Sequence, residues 1–200
     1  MSYEYDVALS FAGEDRKFVE DCAEILRSLN INVFYDNYEK EVLLGKNLYS
    51  YLADVYQNRA RFAVVFVSEA YKKKRWTNHE LEYITVRKFT QDEEYLLPVK
   101  LDETELTEIP LTTGYLQGNS PVEVAITIAK KINSKLDVDL MLSELKYYLP
   151  NYEIDIIDSE VSFRCEQEDF YAEYPIGFMM ELYRQDLIER AFVLPAIVPN

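Results

Sequence analysis

The chain has 200 residues, of which 48% are hydrophobic and 28% are charged, with 5 Gly and 7 Pro. This composition is typical of a globular protein and excludes an intrinsically disordered chain. The formal charge is −15, from 21 basic and 36 acidic side chains, so nucleic acid is not an expected partner because phosphate contacts need basic patches.

Membrane and metal partners are not expected either. No apolar stretch approaches the roughly 20 residues of a membrane span, and the Met1–Glu4 start lacks the basic and apolar regions of a signal peptide. The two cysteines, Cys22 and Cys165, form no metal-ligand pattern, which favours reduced thiols. We therefore expect a cytoplasmic protein.

Residues 1–133 alternate between strand patterns and helix patterns. The predicted strands are Tyr3–Ser10, Ile31–Tyr35, Phe62–Val67, Tyr95–Val99 and a short fifth at Thr112–Leu116. The predicted helices are Asp15–Leu29, Leu48–Tyr56, Lys72–Lys88 and Pro121–Ile132. Repeated β-α units of this length predict an α/β fold, with a parallel sheet and helices on both faces.

The order of the strands predicts where a ligand binds. Five such strands most often take the order 2-1-3-4-5 of a flavodoxin-like sheet, which reverses direction between strands 1 and 3. Ligands bind at such a reversal, beyond the carboxyl ends of the strands. We therefore predict a crevice between the loop after Ser10 and the loop after Val67.

Trp76 and Glu80 lie four residues apart on the helix predicted after strand 3. Positions i and i+4 share one face of a helix, so an indole and a carboxylate would point together towards the predicted crevice. The alternative is that Trp76 anchors the core and Glu80 is a solvated helix residue. The sequence pattern leaves both interpretations open.

Several other enzyme classes lack their required residues. No GxGxxG motif follows a strand, and Gly45-Lys46 lacks the upstream glycine of a P-loop. His79 is the only histidine, which excludes a histidine-rich metal site. A Ser/His/Asp catalytic system is not supported either, because it would lack a plausible histidine.

Residues 134–200 break the alternation and hold 5 basic against 14 acidic side chains. A helical stripe at Leu140, Leu142, Leu145 and Leu149 ends at Pro150. Two predicted strands and a final helix follow, at Tyr152–Ile157, Val161–Cys165 and Ile176–Ala191. We expect an acidic α-β-β-α extension that either packs on residues 1–133 or begins a further domain.

Three segments in the first 120 or so residues resemble a TIR (Toll/interleukin-receptor) domain of the bacterial, NAD-cleaving kind. They are Tyr5–Asp15, Phe34-Tyr35-Asp36 followed by Gly45, and Ser68-x-x-Tyr71 with Trp76-x-x-x-Glu80-Leu81. Two positions depart from the pattern, since Lys74 stands where many members have serine and Thr77 where many have cysteine. On this resemblance residues 1–133 are the TIR domain.

The resemblance implies an NAD⁺ glycohydrolase or cyclase that cleaves the nicotinamide–ribose bond. It implies Glu80 as the catalytic residue, with NAD⁺ as substrate, no cofactor and no metal. Phe11 would stack on nicotinamide, and Trp76 would either line the pocket or pack beneath its helix. Ser10 and Asp36 would touch the ligand or fix loops, and Lys46 would face the pyrophosphate or be solvated.

The resemblance also implies self-association and a biological role. The loop around Asn37–Lys46 of a neighbouring copy would complete the site. The protein would be an effector or second-messenger producer in bacterial antiviral defence, with the acidic extension contacting a defence-system partner or a sister subunit. The alternative is a non-catalytic scaffold that acts only through TIR–TIR assembly.

Overall fold

The computed structural model describes residues 3–37, 39, 44–73, 84, 94–110, 112–133 and 137–185. The strands are β1 Tyr5–Ser10, β2 Val33–Phe34, β3 Ala60–Val67, β4 Leu96–Lys100, β5 Leu116–Gln117, β6 Glu153–Ile157, β7 Glu160–Cys165 and β8 Phe170–Pro175. The helices are α1 Arg16–Ser28, α2 Leu48–Asp54, α3 Glu69–Lys73, α4 Pro121–Ile132, α5 Val138–Tyr148 and α6 Ile176–Arg184.

The first five strands form one parallel sheet in the order β2-β1-β3-β4-β5, which confirms the predicted topology. β1 pairs with β3 from Tyr5 opposite Ala60 to Ser10 opposite Val65. β5 is shorter and lies later than the predicted Thr112–Leu116, because only Leu116 and Gln117 pair with β4.

β3 contributes side chains to a hydrophobic core on each face of this sheet. Its side chains alternate between the faces, as the pleat of a strand requires. One core contains Phe62, Val64 and Phe66 with the buried faces of α1 and α4, and the other contains Ala63, Val65 and Val67 with Tyr71, Ile84 and Tyr95. A strand that is buried on both faces has a continuous run of apolar residues. This run is why the strand could be predicted from the sequence.

The helix after β3 starts earlier than predicted, because α3 begins at Glu69 rather than Lys72. Most of the predicted Lys72–Lys88 helix, including Trp76 and Glu80, lies outside the described residues. Within the described ranges, the structure has no helix long and apolar enough to cross a membrane.

Residues 137–185 form a three-stranded antiparallel sheet, β6-β7-β8, flanked by α5 and α6. The predicted α-β-β-α order therefore lacked one strand, β8, which pairs with β7 from Glu160 opposite Pro175 to Cys165 opposite Phe170. The hydrophobic side chains of this unit join those of α1 and α4 in one buried cluster. The end of the predicted final helix, residues 186–191, lies outside the described residues.

α5 turns most of its predicted leucine stripe towards the core, since Leu145 is buried and Leu142 and Leu149 pack against the buried cluster. Its buried residues are Val138, Met141 and Leu145, at i, i+3 and i+7, whereas Leu140 is 45% exposed. Leu140 is therefore the one residue of the predicted stripe that does not face the core.

Candidate functional site

The loop after β1 and the loop after β3 are hydrogen-bonded to each other at the predicted point of reversal. The Ser68 hydroxyl donates to Asp15 Oδ2 at 2.6 Å, and the hydroxyls of Ser10 and Tyr71 are 2.8 Å apart. The Tyr71 backbone N–H also donates to Ser68 Oγ at 3.0 Å, which caps the first turn of α3. The loops predicted to border the crevice therefore meet.

Burial makes these hydrogen bonds structurally important. Ser10, Ser68 and Tyr71 are 1%, 4% and 1% exposed. A buried hydroxyl that loses its partner costs about 1–3 kcal/mol, so each of these side chains strongly favours the arrangement seen. The Ser10 hydroxyl thus joins the end of β1 to the corner between β3 and α3, which favours the loop-fixing role over ligand contact.

Asp102, in the loop after β4, holds the same corner from the other side. Its Oδ2 accepts from the Glu69 N–H and its Oδ1 from the Thr104 N–H, both at 2.8 Å. Partial burial opposes the charged form, but hydrogen bonds from Thr104 and the Glu69 amide outweigh it and hold the pKa of Asp102 below its usual 3.8.

Arg16, at the first position of α1, joins the loop after β1 to the loop after β2. Its guanidinium forms two hydrogen bonds with the Asp36 carboxylate, at 2.7 and 2.9 Å. It also lies 5.1 Å from the ring centre of Phe11 and 5.7 Å from that of Tyr35. Phe11 and Tyr35 pack against each other with ring centres 5.6 Å apart. The arrangement fixes Phe11 at the end of β1.

An open cleft of about 490 Å³ adjoins this group. It is lined by Arg16, Asp36, Asn37, Leu44, Gly45, Lys46 and Leu48. Gly45 has φ +77, a conformation that glycine adopts without steric cost. Lys46 lines the cleft, and its ammonium lies 4.4 Å from the ring centre of Tyr51.

The structure therefore brings some predicted site residues together. Asp36 and Lys46 line one cleft, and Arg16 connects that cleft to Phe11. Ser10 bonds to Tyr71 on the β3 side, while Trp76 and Glu80 lie outside the described residues.

Arg16 was missed by the sequence analysis although it is central to the described geometry. Its position directly after Glu14-Asp15, at the start of the helix, was a signal that could have identified it. An arginine beside carboxylates at the end of a strand is well suited to bidentate pairing.

Metal-binding groups are not found in the described part of the chain. No three His, Cys, Asp or Glu side chains in those ranges are arranged to hold a metal ion. Cys22 and Cys165 are both free and buried, and burial raises the pKa of the Cys22 thiol. A protonated, buried thiol is a poor nucleophile.

Comparison with known proteins places the fold and these loops in a family. The sequence profile of the TIR domain matches residues 7–125. A 3′ cyclic ADP-D-ribose synthase from Aquimarina amphilecti is 50% identical over 133 residues, which cover 66% of this chain and 41% of that protein. A 2′ cyclic ADP-D-ribose synthase from Acinetobacter baumannii is 34% identical over 97 residues, covering 48% of this chain and 35% of that protein.

The chain thus spans less than half the length of these two relatives. Among solved structures, a metazoan TIR-STING receptor from C. gigas in complex with 2′,3′-cGAMP aligns with a TM-score of 0.53 at 10% identity. The alignment covers 96% of this chain and 82% of that one, and at this identity the likeness concerns the fold alone. Because the family profile covers more than half of the chain, the protein belongs to the TIR-domain family.

Proposed function

We propose that the protein cleaves NAD⁺ at the bond between nicotinamide and ribose, and that the product is ADP-ribose or a cyclised isomer. The observation that carries the proposal is the 50% identity, over 133 residues, to a relative named 3′ cyclic ADP-D-ribose synthase. The joined loops after β1 and β3 support it, because they lie where sheets of this topology bind ligands.

One carboxylate is sufficient for this reaction. Glycoside hydrolysis ordinarily needs a second carboxylic acid to protonate the leaving oxygen. Nicotinamide instead leaves as a neutral base from a pyridinium cation, so no acid is needed. The remaining task is to hold the ribose and stabilise an oxocarbenium-like charge, which an ionised Glu80 does electrostatically.

The described residues support different roles around that carboxylate. Phe11, fixed at the end of β1, is the proposed stacking surface for nicotinamide. Lys46 is the proposed point charge for the pyrophosphate, since it lines the open cleft. Asp36 is engaged by Arg16 through both oxygens, which supports a loop-fixing role. Trp76 is proposed to line the pocket.

Nicotinamide release from NAD⁺ tests the proposal directly. We expect Glu80→Gln and Glu80→Ala to lower the rate by about a hundred- to thousandfold, the usual effect of losing one preorganised electrostatic group. Glu166→Gln is the matched control, because Glu166 is exposed at the end of β7, in the extension. Wild-type rates from both Glu80 variants would refute the catalytic assignment.

We also infer that activity depends on self-association through the Asn37–Lys46 loop. Leu44, in that loop, is 86% exposed and is therefore accessible to a neighbouring copy. Leu44→Asp should reduce the activity per molecule at high protein concentration, whereas Leu140→Asp, at an exposed leucine of α5, should not. Activity independent of concentration would contradict this inference.

The remaining parts of the proposal rest on family analogy. On that analogy we propose an effector or second-messenger role in bacterial antiviral defence, in the cytoplasm. The acidic extension is the proposed contact for a defence-system partner. If the concentrated wild-type protein released no nicotinamide but still assembled, a non-catalytic scaffold would be the better description.

A further inference from the structure

The corner between β3 and α3 is held by side chains from two other loops. Asp15 in the loop after β1 accepts the Ser68 hydroxyl hydrogen at 2.6 Å. Asp102 in the loop after β4 accepts the Glu69 N–H at 2.8 Å. These contacts connect residues 53 and 33 positions apart in sequence, so the corner is fixed by tertiary structure as well as by its own turn.

The corner could cap its helix without either aspartate. Ser68 already accepts the Tyr71 N–H at 3.0 Å, as an N-cap serine does. Ser120 at the start of α4 makes the same bond to the Glu123 N–H, at 3.1 Å. Among the described residues, Ser120 has no bond to an aspartate like the one from Ser68 to Asp15. The contacts from Asp15 and Asp102 therefore fix the position of the corner relative to the loops after β1 and β4.

We propose that Asp15 and Asp102 are positioning residues for the NAD⁺ reaction, because Asp15 ties the Ser68–Tyr71 corner to the loop that contains Phe11 and Asp102 ties it to the loop after β4. This inference rests on the proposed function. Glu80 follows Tyr71 by nine residues in the sequence. Asp15 links the two loops directly, because it lies between Phe11 and α1 in the loop after β1 and accepts the hydrogen bond of Ser68.

Misplacement of the corner should affect the transition state more than the binding of substrate. A displacement of about 1 Å at a reacting group can cost on the order of a hundredfold in rate. We therefore expect Asp15→Ala to lower kcat by about ten- to a hundredfold, with KM changed by less than about threefold. Asp15→Asn should retain most of kcat, because its amide oxygen can still accept the Ser68 hydroxyl.

Asp102→Ala has a matched control in the extension. Asp137 caps α5 by accepting the Leu140 N–H at 2.9 Å, the same chemistry that Asp102 provides for α3. Both alanine variants should lower the melting temperature by similar amounts. Below that temperature, where circular dichroism shows both to be folded, only Asp102→Ala should lower kcat, by about tenfold.

The outcomes separate this inference from the function on which it rests. Wild-type protein that releases no nicotinamide at any concentration would overturn both. An active wild type with unchanged kcat in Asp15→Ala and Asp102→Ala would overturn the positioning role and leave the proposed function standing. A fall in kcat for Asp137→Ala equal to that for Asp102→Ala would also overturn it, since the effect would then be general destabilisation.

Discussion

Arg16 makes contacts that only arginine can make in this position. Its planar guanidinium pairs with both oxygens of Asp36 and lies against the rings of Phe11 and Tyr35. A lysine would keep the charge but could neither form two parallel hydrogen bonds nor stack as a plane. The single side chain thus couples the ends of β1 and β2.

A double-mutant cycle measures this coupling. Arg16 and Asp36 are 40% and 42% exposed in their side chains, so solvent screening limits their ion pair to about 0.5–1 kcal/mol of coupling. We expect Arg16→Lys to lose at least half of it. The exposed Lys17–Asp21 pair is the control and should give a smaller coupling by urea unfolding. Equal couplings for the two pairs would show that bidentate geometry adds nothing.

The positions of Ser10 and Phe11 could be predicted from the sequence, but their partners could not. Ser10 and Phe11 could be placed at the sheet edge, because their strand pattern ends there. Their partners could not be predicted, since Ser10 meets Tyr71 across 61 positions of sequence. Hydrogen bonds of this separation depend on the folded geometry, and no local pattern encodes them.

At the scale of elements, α6 lies directly against α1. A Cβ on Gly177, in the first turn of α6, would lie 1.4 Å from the Ser28 carbonyl oxygen at the end of α1. No atom can occupy that distance, so one helix would have to move. The two helices approach this closely only because position 177 has no side chain.

Substitution of Gly177 therefore tests whether this helix contact exists. We expect Gly177→Ala to reduce the free energy of unfolding by about 1–3 kcal/mol, as overpacking does elsewhere. Gly114→Ala is the control, because a Cβ there would meet nothing within 4 Å. Denaturant unfolding of both variants checks the prediction, and equal stabilities would place α6 away from α1.

The elements predicted most accurately are those whose sequence pattern indicates one kind of secondary structure and marks its ends. α4 was predicted with its observed bounds, because Pro121 marks its first turn and its apolar period is regular. β8 was missed although Ala172 and Tyr174 alternate with Tyr171 and Glu173. Acidic residues dominate the preceding turn and Pro175 ends the strand, and both features weaken a strand pattern.

At the scale of the whole molecule, one hydrophobic cluster extends from the parallel sheet into the extension. It includes Ile25 and Leu29 from the region of α1, Phe163 from β7, and Met179 and Met180 from α6. Residues 134–200 nevertheless carry a net charge of −9 of the total −15. We propose that apolar burial against α1 outweighs the repulsion within this acidic segment and makes the two parts one folding unit.

A shared core predicts a single cooperative unfolding transition. Trp76 is the only tryptophan and lies in residues 1–133, so its fluorescence follows that part, whereas far-ultraviolet circular dichroism follows both parts. The two signals should have coincident urea midpoints, because neither part can unfold without exposing the buried surface of the other. Gly177→Ala should shift both midpoints together. Two separated transitions, with the tryptophan signal unmoved by Gly177→Ala, would mean that residues 134–200 form an independent domain.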